Sequence, residues 1–471
     1  MSDSISATED REVQTAEAPA APPPAAAIPE SGAPDSAAAS EPAGPAVPEG
    51  FPEEIRMDEL QSMSPADLLE LADKTGWRVN ASRSKHQLIY DIACWLTQHG
   101  TRLLVEGILE VGQENFGLIR YPRYSAMALP EDIFIPLFLV RKFHLKTGHW
   151  ITGVAKAPRE RDKYLAIDRI HTVEGMDADE WQPPENFDKL TALFPNERII
   201  LETSKDSSVS ARVADLVAPL GKGQRGLICA PPRSGKTFLL KAMAQSITVN
   251  YPEIDLIILL LDERPEEVTD FEETVSGGQI YSSTFDESPK RHTQLAEFVL
   301  ERAKRLVERG RHVVILLDSI TRLARGYNAL TGGKGRTMSG GMDAKAMAKP
   351  KKFFGAARNV AEGGSLTIIA TALIETESRM DELIFEEFKG TGNLEITLDR
   401  EISERRIYPA IHVLKSGTRR DDLLYHPDEF RMVTQVRKQL AAVPAAEAVE
   451  LLIKNIQRTG NNAELLLKGL K

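Results

Sequence analysis

Cysteine is almost missing from this sequence. Cys94 and Cys229 are the only two among 471 residues, which excludes a disulfide framework and a Cys-rich zinc site. Each reads as a small buried apolar residue. No apolar run of 18 or more residues occurs, so no membrane-spanning helix is expected. The opening residues, MSDSISATED, lack the basic head and apolar stretch of a secretory signal, and a soluble cytoplasmic protein is the expectation. Aromatics make up only 6% of the chain, and residues 1–50 hold no Phe, Trp, Tyr or Leu. That stretch carries 14 alanines and nine prolines, too little bulky surface to offset the entropy of ordering. Residues 1–52 are therefore expected to be a disordered, acidic, Ala/Pro-rich tail that serves as a solvated tether, with a binding segment or an electrostatic screen as alternatives.

Positive charge is also in deficit, but unevenly. The formal net charge is -11, and residues 1–50 contain nine acidic residues against one basic residue, Arg11, so the remaining 421 residues sum to -3. The body of the chain is nearly neutral and can carry local basic clusters, so the overall acidity does not exclude a nucleic-acid partner.

What is present is a chain long enough for about three domains of roughly 150 residues. Residues 53–100 show short amphipathic helices, with Leu68, Leu69 and Leu71 after Ser64-Pro65, then Leu88, Ile89, Ile92 and Leu96 at helical spacing. Residues 101–175 switch to short strands separated by loops, the pattern of a small barrel. Residues 176–198, with Pro183 and Pro184, read as a linker. From 199 to 471, continuous apolar runs at 226–230, 256–261, 313–317 and 366–370 alternate with amphipathic helices such as that bearing Leu295, Phe298, Val299, Ala303 and Leu306. That alternation predicts an α/β domain whose parallel sheet is covered on both faces.

The segment Ala230-Pro-Pro-Arg-Ser-Gly-Lys-Thr237 follows one such strand and opens a helix marked by Leu239, Met243 and Ile247, the context a P-loop requires. In such a loop, backbone N–H groups cradle phosphates, lysine neutralises charge and a hydroxyl ligates magnesium. Lys236 and Thr237 fit those roles, although Ala230 replaces the first glycine of the usual pattern. Asp318 ends the 313–317 run at the sheet edge where α/β folds bind ligands and is the candidate metal-site carboxylate. Glu263, in Asp262-Glu263-Arg264-Pro265-Glu266-Glu267 after the 256–261 run, is the candidate to orient or deprotonate water. An acidic solvated loop is the bland alternative for any one of these groups. Arg406 and Arg419, late in the chain, are candidate fingers for a neighbouring subunit, or else surface residues in salt bridges.

In the barrel region, Phe116, Arg120 and Phe134 fall at alternating strand positions and share one face, an arrangement that binds single strands by stacking. Residues 102–164 carry ten Lys or Arg against seven Asp or Glu. Buried core aromatics are the alternative. The segment Thr331-Gly-Gly-Lys-Gly-Arg-Thr-Met-Ser-Gly-Gly341 is glycine-rich and basic, a loop suited to approach a phosphate backbone, and Glu377-Ser-Arg-Met380 forms a second loop.

The strings GQRGLICAPPRSGKT, LLDERPEEVTD, VVILLDSITRLARGYN, KKFFGAARNVAEGGSLTIIATAL, FEEFKGTGN and KSGTRR resemble the bacterial transcription termination factor Rho family from about residue 57 to the C-terminus. The resemblance implies a RecA-like P-loop ATPase domain preceded by a small helical bundle and an OB-fold, cold-shock-like barrel. It also implies a homohexamer that hydrolyses ATP with Mg2+, moves 5′ to 3′ on C-rich single-stranded RNA and dissociates RNA polymerase with elongation factors such as NusG. Carried over by motif, Pro232, Arg233, Ser234, Gly235, Lys236, Thr237, Phe238 and Arg264 bind nucleotide, Thr237 and Asp318 hold the metal, and Glu263, Lys236, Arg419 and Arg406 serve catalysis, the two arginines across the subunit interface. The family's RNA contacts fall on Phe116, Arg120, Asp132, Phe134, Asp162 and Tyr164 in the barrel, and on Arg336, Thr337 and Arg379 in the central channel. Leu118 stands where a second aromatic is common and Phe134 where a tyrosine is, which implies weaker stacking or an altered preference for cytosine. Arg233 and Arg336 each replace a lysine, keeping charge but not geometry. The alternatives are another RecA-like motor, such as a rotary ATPase subunit or a DNA strand-exchange protein, and a nonenzymatic RNA-binding scaffold. The barrel argues against the first, and the presence of both Glu263 and Asp318 against the second.

Overall fold

The computed structural model describes residues 48–80, 82–112, 116–159, 162–204, 207–331 and 339–470. Most of the expected acidic tail lies outside them. Among the described residues no helix is long and apolar enough to cross a membrane.

The N-terminal module is built on two longer helices, α1 (Pro65–Lys74) and α2 (Lys85–Gln98). Ser64 starts α1 through a reciprocal capping box with Asp67, satisfying donors that a helix start leaves open. Leu68 of α1 and Leu88, Ile89, Ile92 and Leu96 of α2 are fully buried, as their spacing requires. The module begins before residue 53: the Phe51 ring stacks on His99 with centroids 4.9 Å apart, and the Pro52 carbonyl accepts from Thr101 Oγ1 at 2.9 Å. A bulky ring with a partner to bury against moves that boundary out of the tail.

Five strands follow: β1 (Arg102–Val111), β2 (Gly117–Arg120), β3 (Ile133–Ile135), β4 (Trp150–Lys156) and β5 (Ala166–Val173). They pair in the order β1-β2-β3-β5-β4, and β4 returns to β1, closing a five-stranded barrel. Alternation decides the faces: Ile119, Ile133, Ile135, Ile151 and Ile167 fill the interior, and their sequence neighbours point outward. Glu54–Arg56 adds in parallel to the Arg102–Leu104 end of β1 and covers the edge that closure leaves there.

The stretch at 176–198 is not a free linker. Trp181 is buried and donates from Nε1 to the Phe143 carbonyl at 2.9 Å. Phe187 is buried, with Arg358 and Lys304 over its ring. Two aromatic anchors strap a proline-containing segment across the surface.

The C-terminal domain holds six parallel strands: β6 (Arg225–Ala230), β7 (Asp255–Glu263), β8 (Gln279–Thr284), β9 (His312–Asp318), β10 (Ser365–Leu373) and β11 (Leu394–Thr397). Their order is β8-β7-β9-β10-β6-β11. The apolar runs are continuous because each face packs against its own cluster. Ile258, Leu260, Val314 and Leu316 join Leu239, Met243 and Ile247 of helix α3 (Lys236–Asn250). Ile257, Leu259, Val313 and Ile315 join Leu295 and Val299 of α4 (Pro289–Val307) and Leu323 of α5 (Ile320–Thr331). Truncating one of these aliphatics to alanine costs about 2–5 kcal/mol.

The barrel is fused to this second cluster through Ile108 and Ala126. Gly148, at φ +97°, makes the approach possible: a Cβ there would lie 2.5 Å from the Glu301 carbonyl, so only glycine fits both the backbone and the gap.

Candidate functional site

Strand β6 ends at Ala230, and Pro231 and Pro232 stop it from pairing further. Ser234 turns back on Pro231, its Oγ donating to that carbonyl at 2.8 Å. Arg233 and Gly235 take left-handed conformations at φ +65° and +88°, and α3 starts at Lys236. Gly235 gives the helix no side-chain cap, so the first-turn N–H groups are left for an outside acceptor such as phosphate.

Lys236 is held between two carboxylates from neighbouring strand ends. Its Nζ donates to Glu263 Oε1 at 2.9 Å and to Asp318 Oδ1 at 2.5 Å. Thr371 Oγ1, from β10, also donates to Asp318 Oδ1 at 2.7 Å. Arg322, in the first turn of α5, lies 3.3 Å from the second Glu263 oxygen. Burial and the nearby Asp318 charge push the Glu263 carboxyl up to about 7, against Lys236 and Arg322. Burial disfavours the charge on Lys236, but Asp318 and Glu263 outweigh it and raise its pKa.

Asp318 Oδ2 is buried and has no hydrogen-bond partner, a cost of about 1–3 kcal/mol that a ligand could remove. Together with the Thr237 hydroxyl one residue past Lys236, it offers the oxygen donors Mg2+ prefers when phosphates and water complete the shell. Among the described residues no group of three or more His, Cys, Asp or Glu could hold a metal alone.

Two large apolar rings stand exposed beside the P-loop. Phe238 is 80% exposed, and Tyr408 is 48% exposed with its ring 3.3 Å from where a Gly235 Cβ would be. Arg406 is exposed on the Tyr408 loop at φ +60°, on the P-loop side of the sheet. Arg419 lies at the other end. Its N–H donates to the Asn393 carbonyl, and Asn393 N–H donates to Arg225, the first residue of β6. The length of β6, about 17 Å at 3.3 Å per residue, separates it from its own P-loop. Arg264, exposed before the helix Pro265–Thr274, makes its ion contact with Glu266 at 3.9 Å and does not join the Lys236 cluster.

On the barrel, Phe116 and Phe134 are half-buried with centroids 5.4 Å apart, so they form an outer face rather than core. Leu118 pairs with Phe134 across β2 and β3 as its aliphatic member. Arg120 is pinned by Glu110 at 2.6 Å and by Asp132. Asp132 is buried and also accepts from Leu129 N–H at 2.8 Å; burial pushes its carboxyl up to about 7, against Arg120. Tyr164 stands beside this face with Lys163 5.2 Å over its ring, and Asp162 accepts from Arg159 N–H at 3.2 Å.

Arg336 and Thr337 lie outside the described residues. Arg379 is exposed as the first residue of helix α6 (Arg379–Lys389). Gly340 lies against it, since a Cβ there would come 2.9 Å from the Arg379 carbonyl carbon. The end of the glycine-rich segment thus rests on the second loop. Sequence reasoning missed Tyr408, Thr371 and Arg322; the one available signal was an aromatic two residues after Arg406.

A parallel sheet whose strand ends set Glu263 and Asp318 against the P-loop Lys236, joined to a closed barrel with a paired-aromatic face, defines a P-loop ATPase with a nucleic-acid-binding module. The ATP synthase alpha/beta family nucleotide-binding domain matches residues 210–418, and the Rho termination factor RNA-binding domain matches residues 105–179. A protein named transcription termination factor Rho from Akkermansia muciniphila is 54% identical over 419 residues, 89% of this chain and 88% of that protein. Its namesake from Cereibacter sphaeroides is 48% identical, covering 88% of this chain and 98% of that protein. The chain belongs to the transcription termination factor Rho family. Its fold is similar to that of an ATPase from the type III secretion system of pathogenic bacteria, at TM-score 0.50 and 21% identity over 59% of this chain and 86% of that one.

Proposed function

We propose that this chain is an ATP-hydrolysing RNA translocase that works as a cytoplasmic homohexamer, binds nascent C-rich single-stranded RNA and ends transcription by dissociating RNA polymerase. The observation that carries the reading is the P-loop Lys236 clasped by Glu263 and Asp318 from the ends of the neighbouring strands β7 and β9. Mg2+, held by Thr237 and Asp318, would supply charge neutralisation on the phosphates. Lys236 exchanges its two carboxylates for the transferred phosphate. Glu263, relieved of Lys236, becomes a stronger base and orients the attacking water. Phe238 and Tyr408 flank the purine.

Arg419 cannot reach its own P-loop along β6, so it completes a neighbour's site, the role of a finger supplied in trans. Arg406 shares that interface. RNA first meets Phe116, Phe134, Tyr164 and Arg120 on the barrel, and then Arg336, Thr337 and Arg379 at the ring's centre. RNA polymerase and elongation factors of the NusG kind are the macromolecular partners.

The test is steady-state ATP hydrolysis by the purified protein alone, with C-rich RNA and with matching DNA. Stimulation by RNA alone is expected. Equal rates in all three would overturn an RNA-gated mechanism.

A further inference from the structure

Helix α2 turns one stripe of side chains toward two loops of the barrel. His86 and Tyr90 are four residues apart in α2 and share one side of it. His86 Nδ1 meets Glu131 Oε1 at 2.7 Å, and Tyr90 Oη donates to the Lys163 carbonyl at 3.1 Å. Each of those loops carries residues of the candidate nucleic-acid face. Glu131 is followed by Asp132 and Phe134, and Lys163 lies between Asp162 and Tyr164. The two loops are also bonded to each other, since Phe134 N–H donates to the Leu165 carbonyl at 2.8 Å.

The His86 contact is anchored on its buried side. Glu131 is fully buried, and among the described residues its one ion contact is His86. The second Glu131 oxygen is buried without a hydrogen-bond partner, so loss of His86 would leave the whole carboxylate unpaired. The Glu131 carbonyl accepts from Tyr121 Oη at 3.3 Å, which fixes the main chain one residue before Asp132. His86 is itself placed from two sides. Its ring packs edge-on against Tyr124 with centroids 4.8 Å apart. Beside it, Lys85 Nζ donates to the Gln61 carbonyl at 2.8 Å, tying the start of α2 to the helix Met57–Ser62. The Tyr90 contact is a single exposed hydrogen bond and is the easier one to remove.

We propose that His86 and Tyr90 are positioning residues for single-stranded RNA: from one side of α2 they hold the Asp132–Phe134 and Asp162–Tyr164 segments at the spacing that a base stacked on the barrel requires. This rests on the reading of the Phe116–Phe134 face as an RNA site. The two residues set the loops in their bound arrangement before RNA arrives, so less freedom is lost on binding. By linkage, RNA on the barrel tightens the docking of α2 by the same factor.

The test uses the full chain as wild type, Tyr90→Phe, His86→Ala and His86→Gln. Readouts are affinity for a short C-rich RNA oligonucleotide across a range of salt, and hydrogen exchange with and without it. Tyr90→Phe should bind about 2- to 12-fold more weakly, the equivalent of one net hydrogen bond. Its slope against salt should not change, because no phosphate contact is removed. His86→Ala should lose at least as much, and His86→Gln, which keeps a donor, should recover part of it. In wild type the oligonucleotide should slow exchange at 85–98, and in Tyr90→Phe it should slow it less. Wild-type affinity in Tyr90→Phe and His86→Ala would overturn the proposal alone. So would a loss in Tyr90→Phe that comes with a changed salt slope, or with faster exchange throughout β1 and β4. A wild type that does not bind the oligonucleotide, or that binds it equally well after Phe116→Ala, would overturn the reading of the face as well.

Discussion

Glu263 should make the unliganded protein less stable as the pH rises. Its carboxyl is pushed from the ordinary 4.5 up to about 7 by burial and by Asp318. The folded state therefore binds a proton that the unfolded state has lost between those values. A raised acid contributes stability that is complete below about 4.5 and gone above about 7. The displacement corresponds to about 3 kcal/mol at alkaline pH. Glu263→Gln mimics the protonated acid at every pH. The variant should match wild type near pH 4.5–5 and be more stable by up to about 3 kcal/mol at pH 8.5, or roughly 5–10 °C in the Tm of a domain this size. Scanning calorimetry of both proteins without nucleotide, across pH 5 to 8.5, measures the gap. A gap that stays constant with pH, or that closes as pH rises, would refute the account of the Lys236–Glu263–Asp318 cluster.

Other perturbations follow from the same geometry. Phe116→Ala removes one of two paired rings and should weaken oligonucleotide binding by about 1–3 kcal/mol, read by fluorescence anisotropy, with ATP binding unchanged; unaltered affinity would return the ring to a structural role. Gly148→Ala forces a methyl group onto the Glu301 carbonyl and should loosen the barrel from α4, seen as faster hydrogen exchange at 146–151 while β9 stays protected. Arg419→Ala should retain ATP binding and lose about 10³- to 10⁵-fold in hydrolysis, and mixing it with Lys236→Ala protein should restore some activity by pairing an intact P-loop with an intact finger.

Much of this was legible along the chain because the signals are local. The apolar runs of β7, β9 and β10 announce strands buried on both faces, and Pro231, Pro232 and Gly235 before Lys236 announce a turn into a helix. Period-two spacing placed Phe116, Arg120 and Phe134 on one face. What was hidden depends on contacts between distant residues. Tyr408 reaches Gly235 only because the loop after β11 returns to the P-loop. The remoteness of Arg419 from Lys236 is a fact about the β6–β11 pairing. Arg322 meets Glu263 because β7 and β9 are neighbours, and nothing in its own helix shows that. Residues 176–198 looked like a linker because prolines dominate the local signal, whereas Trp181 and Phe187 find pockets supplied by other elements.

Lys236 and its carboxylates should drive RNA removal from transcription complexes. The direct measurement is release of labelled RNA from stalled RNA polymerase complexes by wild type and Lys236→Ala protein, with and without ATP. Wild type with ATP should release RNA, and the other three conditions should release none. Release that persists without ATP, or with Lys236→Ala, would contradict that role.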